Sequence, residues 1–295
     1  MIQIPINGRK SVATAPLLYA VATLAIALAA GLAPIFSKAG DSPEKLRMIT
    51  GIASGILLAS AMFVVIPEGF ELATEEHEED GGEEEAGHEE EGFGNLLIGG
   101  AVLAGFLMMM ILEGSGIGHA VHEEHHDHYD EHGHEHVHHG PTGWMLVIGL
   151  SIHAATDGLA IGSAAAVGEV VITATVFLAV LIHKAPAAFS LGVFSMHERQ
   201  NRNESIRDVV VFALSTPVMI MVAFYALADL DHQTIGLALL FSAGTFLYVA
   251  TVDTLPDIHN PETGREALRN VLIGSVILTL ILVGADYMGL LEHAH

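Results

Sequence analysis

The sequence predicts an all-α polytopic membrane protein. Its eight transmembrane helices follow a 3+2+3 arrangement, in which helices 1–3 and 6–8 form an inverted repeat around helices 4–5. Three observations predict this fold. Hydrophobic residues make up 51% of the 295 and charged residues only 16%, and the mean hydropathy is +0.50. Apolar runs of about 20 residues, the length that crosses a bilayer as a helix, recur along the whole chain. Basic residues gather in every other loop. This pattern excludes a soluble two-domain enzyme.

The first span, 12–37, follows Arg9 and Lys10 and closes on Ala-Ala-Gly-Leu-Ala, as a secretory signal would. It is too long for a signal's apolar region and has a counterpart later in the chain, so a true span is predicted. The other spans are predicted at 47–72, 94–113, 143–166, 170–194, 207–228, 234–255 and 268–290. Between spans 2 and 3, residues 75–92 hold ten Glu with Asp80, His77 and His88, a run too polar to fold on its own. This one loop accounts for much of the net charge of −24. Between spans 3 and 4, residues 119–139 hold ten His interleaved with Asp and Glu. Such tracts bind metal by composition, and their imidazoles are largely neutral near pH 7. Capture or buffering of ions is the reading favoured over a merely solvating linker.

Charge sets the topology. Loop 1 carries Lys38, Lys45 and Arg47, loop 5 Arg199, Arg202 and Arg207, and loop 7 Arg265 and Arg269, whereas loops 2, 4 and 6 carry no Lys or Arg. The positive-inside rule then places the odd loops in the cytoplasm and both termini outside, with Arg9 and Lys10 outvoted. Residues 1–295 form a single transmembrane transporter domain, with 75–92 extracytoplasmic and 119–139 cytoplasmic. One constant offset superposes Gly55 on Gly244, Pro67 on Pro256 and Glu68 on Asp257. Asn95-Leu-Leu-Ile-Gly99 answers Asn270-Val-Leu-Ile-Gly274, and Thr14-Ala-Pro16 answers Ser215-Thr-Pro217. Repeats of this kind place the substrate site near mid-membrane at their interface.

Spans 4 and 5 carry the polar residues that belong there. His153-Ala-Ala-Thr-Asp157-Gly158 and His183-Lys184-Ala-Pro186 each lie inside an apolar run. Ionisable groups at bilayer depth face a cavity or one another and mark function. His153 and Asp157, at i and i+4, share one helix face. A neutral imidazole with a carboxylate suits a borderline divalent cation such as Zn²⁺. With no Cys in the chain, nitrogen and oxygen must supply the ligands. Pro186 breaks the hydrogen-bond ladder of span 5, and the Gly158–Gly162 spacing lets span 4 approach a neighbour closely.

These two motifs resemble the fourth and fifth helices of the ZIP (Zrt/Irt-like) metal transporters, most nearly the branch with His-Lys-x-Pro where many members have His-Glu-x-Pro. Ser242-Ala-Gly-Thr-Phe-Leu-Tyr-Val-Ala-Thr251 resembles the seventh helix of that branch. The resemblance implies a carrier, not an enzyme, that moves Zn²⁺, and often Fe²⁺, Mn²⁺ or Cd²⁺, into the cytoplasm. It implies no resident cofactor, the metal being cargo. His153, Asp157 and His183 match the family's first metal site. The positions that complete a second metal site in many members hold Ala154, Lys184 and Ala187, so a one-metal site is expected.

Lys184 is expected to repel a second divalent ion and to neutralise Asp157 in the empty site. The plainer reading has it snorkelling toward an interface. Glu68 is read as an entry-side ligand and Asp253 and Asp257 as exit-side ligands, against the alternative that Pro-Glu and Pro-Asp only mark helix ends. Glu113 is a weaker exit candidate. An intramembrane metal-dependent hydrolase is the rival function, but no His-Glu-x-x-His motif falls within a span. Eight spans also count against a six-span cation exporter. The expected partners are divalent metal ions and the lipid bilayer, with a homodimer allowed. Nucleic acid is excluded by only 11 Lys and Arg in no basic patch. The expected location is the plasma membrane.

Overall fold

The structure is a computed structural model that describes residues 14–37, 43–74, 87–115, 143–168, 170–199, 201–252, 258–259 and 261–287. Every regular element among the described residues is helical. Eight helices are long and apolar enough to cross a membrane, which makes the chain an integral membrane protein. They are α1 (Thr14–Phe36), α2, α3 (Gly87–Gly114), α4 (Gly143–Val167), α5 (Val170–Arg199), α6 (Arg202–Leu227), α7 (His232–Val252) and α8 (Gly264–Tyr287). Helix α2 is compound: an α-helix over Pro43–Ser60, a π-helical turn over Ala61–Val65 and an α-helix again over Ile66–Thr74.

Proline explains the π-turn. Pro67 has no N–H, and its ring would strike the carbonyl four residues back. The Ile66 N–H donates instead to Ala61 O, five residues back. The added residue turns everything beyond it by about 100° relative to an unbroken helix. Glu68 and Leu72 are thereby buried. Glu68 therefore does not mark a helix end, because the helix runs on to Thr74.

Helix ends depart from the predicted spans where polar residues continue a helix beyond the lipid. Helix α5 reaches Arg199, and α6 starts at Arg202 behind Asn201, whose side chain accepts from the Asn203 N–H. Helix α3 begins at Gly87, so part of the acidic run predicted not to fold is helical. Extending a nucleated helix is cheap, and glutamates suit its N-terminal end. The rest of that run and the His-rich 119–139 lie outside the described residues.

Packing divides the helices into two sets of four. Helix α1 packs on α5 and α6, and α4 on α6; α2 packs on α8 and α7, and α3 on α7. The α4–α7 and α2–α5 contacts join the sets. Glycines set the closest approaches. A methyl at Gly55 would overlap Val271 O, and one at Gly274 would overlap Ile52 O, which locks α2 to α8. The α3–α7 contact uses the same device, with Gly105 against Phe241 O and Gly244 against Val102 O. Gly99, aligned with Gly274 in the sequence, has nothing within 4 Å of a would-be side chain, and the close contact of α3 falls at Gly105 instead. Short Gly-bearing apolar strings are too alike in membrane helices to fix register. Gly158 and Gly162 meet Thr216 O and Ile220 O, so α4 lies against α6 as their spacing predicted. Helix α1 packs within the bundle, as expected of a true span.

Candidate metal centre

Helix α4 places His153 and Asp157 one turn apart on one face, and α5 presents His183 and Lys184 to the same point. All four side chains are buried, with exposures of 2%, 1%, 2% and 0% in that order. Asp157 is the hub. Its Oδ1 lies 3.7 Å from His153 Nε2 and 3.3 Å from His183 Nε2, and Lys184 Nζ donates to its Oδ2 at 2.9 Å. The Lys184 ammonium also sits 4.4 Å from the centre of the Phe212 ring. Full burial rules out the snorkelling reading of Lys184, whose charge is matched internally by Asp157.

The tautomer of His183 is fixed by geometry. Its Nδ1 lies 3.0 Å from Ala179 O, and a carbonyl only accepts, so Nδ1 carries the hydrogen. In the neutral ring Nε2 then offers a lone pair, and it faces another acceptor, the Asp157 carboxylate. A positive charge between the two satisfies both, either a metal ion or the proton of an imidazolium that donates to Asp157 Oδ1 at 3.3 Å. One ligand atom from each of His153, Asp157 and His183 lies within 4.8 Å of the other two. Tetrahedral ligands at about 2.0–2.2 Å from Zn²⁺ stand roughly 3.3–3.6 Å apart, so small side-chain movements suffice to close on the ion. His153 Nδ1 has no hydrogen-bond partner among the described residues, so this ring is less firmly held.

The surroundings differ on the two sides. Phe246 of α7, fully buried, sets its ring edge-to-face against His153 at 5.9 Å and His183 at 5.5 Å. Beyond it, Val64, Leu72, Ile161, Val176 and Leu239 belong to one buried apolar cluster. Each lies on its helix toward the end nearest loops 2, 4 and 6. Toward loops 1, 3, 5 and 7 the histidines instead border a cavity of about 40 Å³. The centre is packed with apolar side chains on one side and borders a small cavity on the other.

The remaining predicted ligands stand apart. Glu68 is buried but outside the His153–Asp157–His183 group. Asp253 and Asp257 lie outside the described residues. Glu113 accepts a 2.8 Å hydrogen bond from the Tyr248 hydroxyl. Sequence reasoning missed Asp208, wholly buried near the start of α6. Ser195 Oγ and Arg199 Nε each donate to its Oδ2 at 2.8 Å, while Arg199 and Arg207 both stack on Trp144. This cluster ties together the ends of α4, α5 and α6. Asp208 sits beside Arg207 at a predicted span boundary, where a charge reads as interfacial. Phe246 was equally hidden, as one apolar residue among many.

Comparison with known proteins decides the lineage. The sequence model of the ZIP zinc transporter family matches residues 13–138 and 115–292. The chain belongs to the ZIP zinc transporter family. Zinc transporter ZIP9 of Xenopus tropicalis is 34% identical over 281 residues, covering 83% of this chain and 90% of that protein. ZIP9 of Micropogonias undulatus is 34% identical over 270 residues, covering 82% and 84%. Zinc transporter ZIP2 of Homo sapiens is 25% identical over 299 residues, covering 90% and 96%. The ZIP resemblance drawn from the α4 and α5 motifs thus extends along most of the chain.

Proposed function

We propose that this protein carries a divalent metal cation, zinc foremost, toward the cytoplasm by alternating access. The cation passes through a mid-membrane site of His153, Asp157 and His183. The observation that carries the reading is the burial of two imidazoles and one carboxylate around a single point, sealed by Phe246 on one side and open to a cavity on the other. Family membership supports zinc as cargo, with Fe²⁺, Mn²⁺ and Cd²⁺ as competing ions. The positive-inside charge pattern supports an orientation with both termini outside and the cavity facing the cytoplasm, and the plasma membrane is the proposed location. The chain then acts as a carrier and not an enzyme, alone or as a homodimer.

The site holds one metal. Asp157 is its single carboxylate among the described residues, and Lys184 already engages one oxygen of it. A second divalent ion would face a fixed ammonium with no further anion to offset it. Glu68 serves the entry side, and Asp253 and Asp257 the exit side. The matched glycine contacts of α2 on α8 and α3 on α7 support the inverted 3+2+3 repeat. The His-rich 119–139 acts as a cytoplasmic ion buffer, so its deletion changes zinc affinity modestly and leaves transport in place.

The test is ⁶⁵Zn²⁺ uptake into proteoliposomes, with competing cations, for wild type, His153→Ala and Asp157→Ala. Both variants should lose nearly all flux. Unchanged flux in both would remove the proposed pathway.

A further inference from the structure

The open side of the metal centre is lined by hydroxyls where a carboxylate or imidazole would be the stronger ligand. The cavity beside His153 and His183 is walled by Thr50 and Ser54 of α2 and Ser190 of α5. These three are 7%, 3% and 4% exposed, and Thr50 Oγ1 lies 3.4 Å from Ser190 Oγ. A buried water needs roughly 10–15 Å³ by this measure and two to four polar partners. A cavity of about 40 Å³ therefore has room for two or three waters, with hydroxyls and imidazoles to hold them. Among the described residues three side chains converge on the cation, whereas Zn²⁺ takes four ligands. Lys184 occupies the far oxygen of Asp157, and Phe246 covers both imidazoles from the sealed side. One direction is left for the fourth ligand, and it is the cavity.

We propose that Thr50, Ser54 and Ser190 form the release vestibule of the site. They hold the exchangeable water that completes the cation's coordination, and they rebuild its hydration shell as it leaves the histidines. This inference rests on the metal reading above. Neutral hydroxyls suit the task because they hydrate an ion without trapping it, and passage requires binding weak enough to let go. Thr50 and Ser54 come from one set of four helices and Ser190 from the other, so the vestibule exists only while the sets stand as they do here.

Two variants test the proposal. Thr50→Val/Ser190→Ala removes two hydroxyls without adding bulk, and Ser54→Val fills the cavity. Each is compared with wild type by equilibrium dialysis of Zn²⁺, by zinc K-edge X-ray absorption and by proteoliposome flux. Wild type should bind one Zn²⁺ with four nitrogen or oxygen donors. Ser54→Val should keep the metal with about three donors. The double variant should retain stoichiometry but lose flux roughly five- to ten-fold, as expected when hydrogen bonds to a departing hydrated ion are removed. Should Ser54→Val not fold, flux through the double variant decides. Full flux in the double variant, or four donors and full flux in Ser54→Val, overturns the vestibule and leaves the metal site standing. Wild type binding no Zn²⁺ would overturn the metal reading itself.

Discussion

Lys184 is the residue on which the character of the site turns. A wholly buried ammonium is tolerable only because Asp157 lies 2.9 Å away, and the reverse holds for the carboxylate. Lys184→Met removes one partner and leaves the other charge buried and unpaired. Breaking a buried pair typically costs about 3–5 kcal/mol, so the zinc-free variant should melt well below wild type in detergent. Zinc at about 100 times its dissociation constant should restore roughly 2.7 kcal/mol, because the cation takes over the lost role. A variant as stable as wild type without zinc would mean that the ion pair does not organise the site. Lys184→Glu exchanges the fixed cation for a second carboxylate, and bound zinc should rise from one to two per chain. Two ions in wild type would refute the one-metal site.

Among the elements, the decisive contacts are those where backbone meets backbone. Van der Waals packing holds membrane helices together, and glycine lets them approach. Gly55→Leu drives a side chain into the carbonyl of Val271, and α2 cannot settle on α8. That variant should give little monodisperse protein, whereas Gly99→Leu, with open space around it, should behave as wild type. Size-exclusion profiles of the two separate these outcomes. Asp208 exerts a different control at the ends of α4, α5 and α6. Asp208→Ala strands the guanidinium of Arg199, 12% exposed, and should lower thermal stability by about 3 kcal/mol. Zinc stoichiometry should stay at one, since Asp208 is outside the metal group.

At the scale of the whole molecule, the proposed alternating access would have the two sets of four helices shift against each other. Thr245 Oγ1 on α7 donates to Thr156 Oγ1 on α4 at 2.9 Å, directly across the boundary between the sets. The chain contains no cysteine, so a pair introduced there is the only thiol pair present. Thr156→Cys/Thr245→Cys should cross-link on oxidation, given how closely the two hydroxyls approach. Oxidised protein should show almost no zinc flux, and reduction should restore it. Full flux through the cross-linked protein would show that the boundary stays fixed during transport.

The sequence by itself determined the eight spans and singled out the three side chains that the structure brings together. Apolar length and loop charge are read along the chain, and His153 and Asp157 meet through the helix period alone. His183 stood out as an imidazole inside an apolar run, and the resemblance grouped it with the other two, since no local rule links residues 26 apart. At α3, α5 and α6 the helices run past the predicted spans, because a helix continues into polar residues that hydropathy assigns to loops. Only the tertiary structure decided that Lys184 turns inward to Asp157, that Phe246 seals one side of the site and that Thr50, Ser54 and Ser190 line the other. It alone revealed Asp208 as the tie between three helix ends. Each of these facts depends on helix rotation and on register between helices far apart in sequence. Both are fixed by glycine contacts and by one π-turn, through close packing that hydrophobic pattern does not encode.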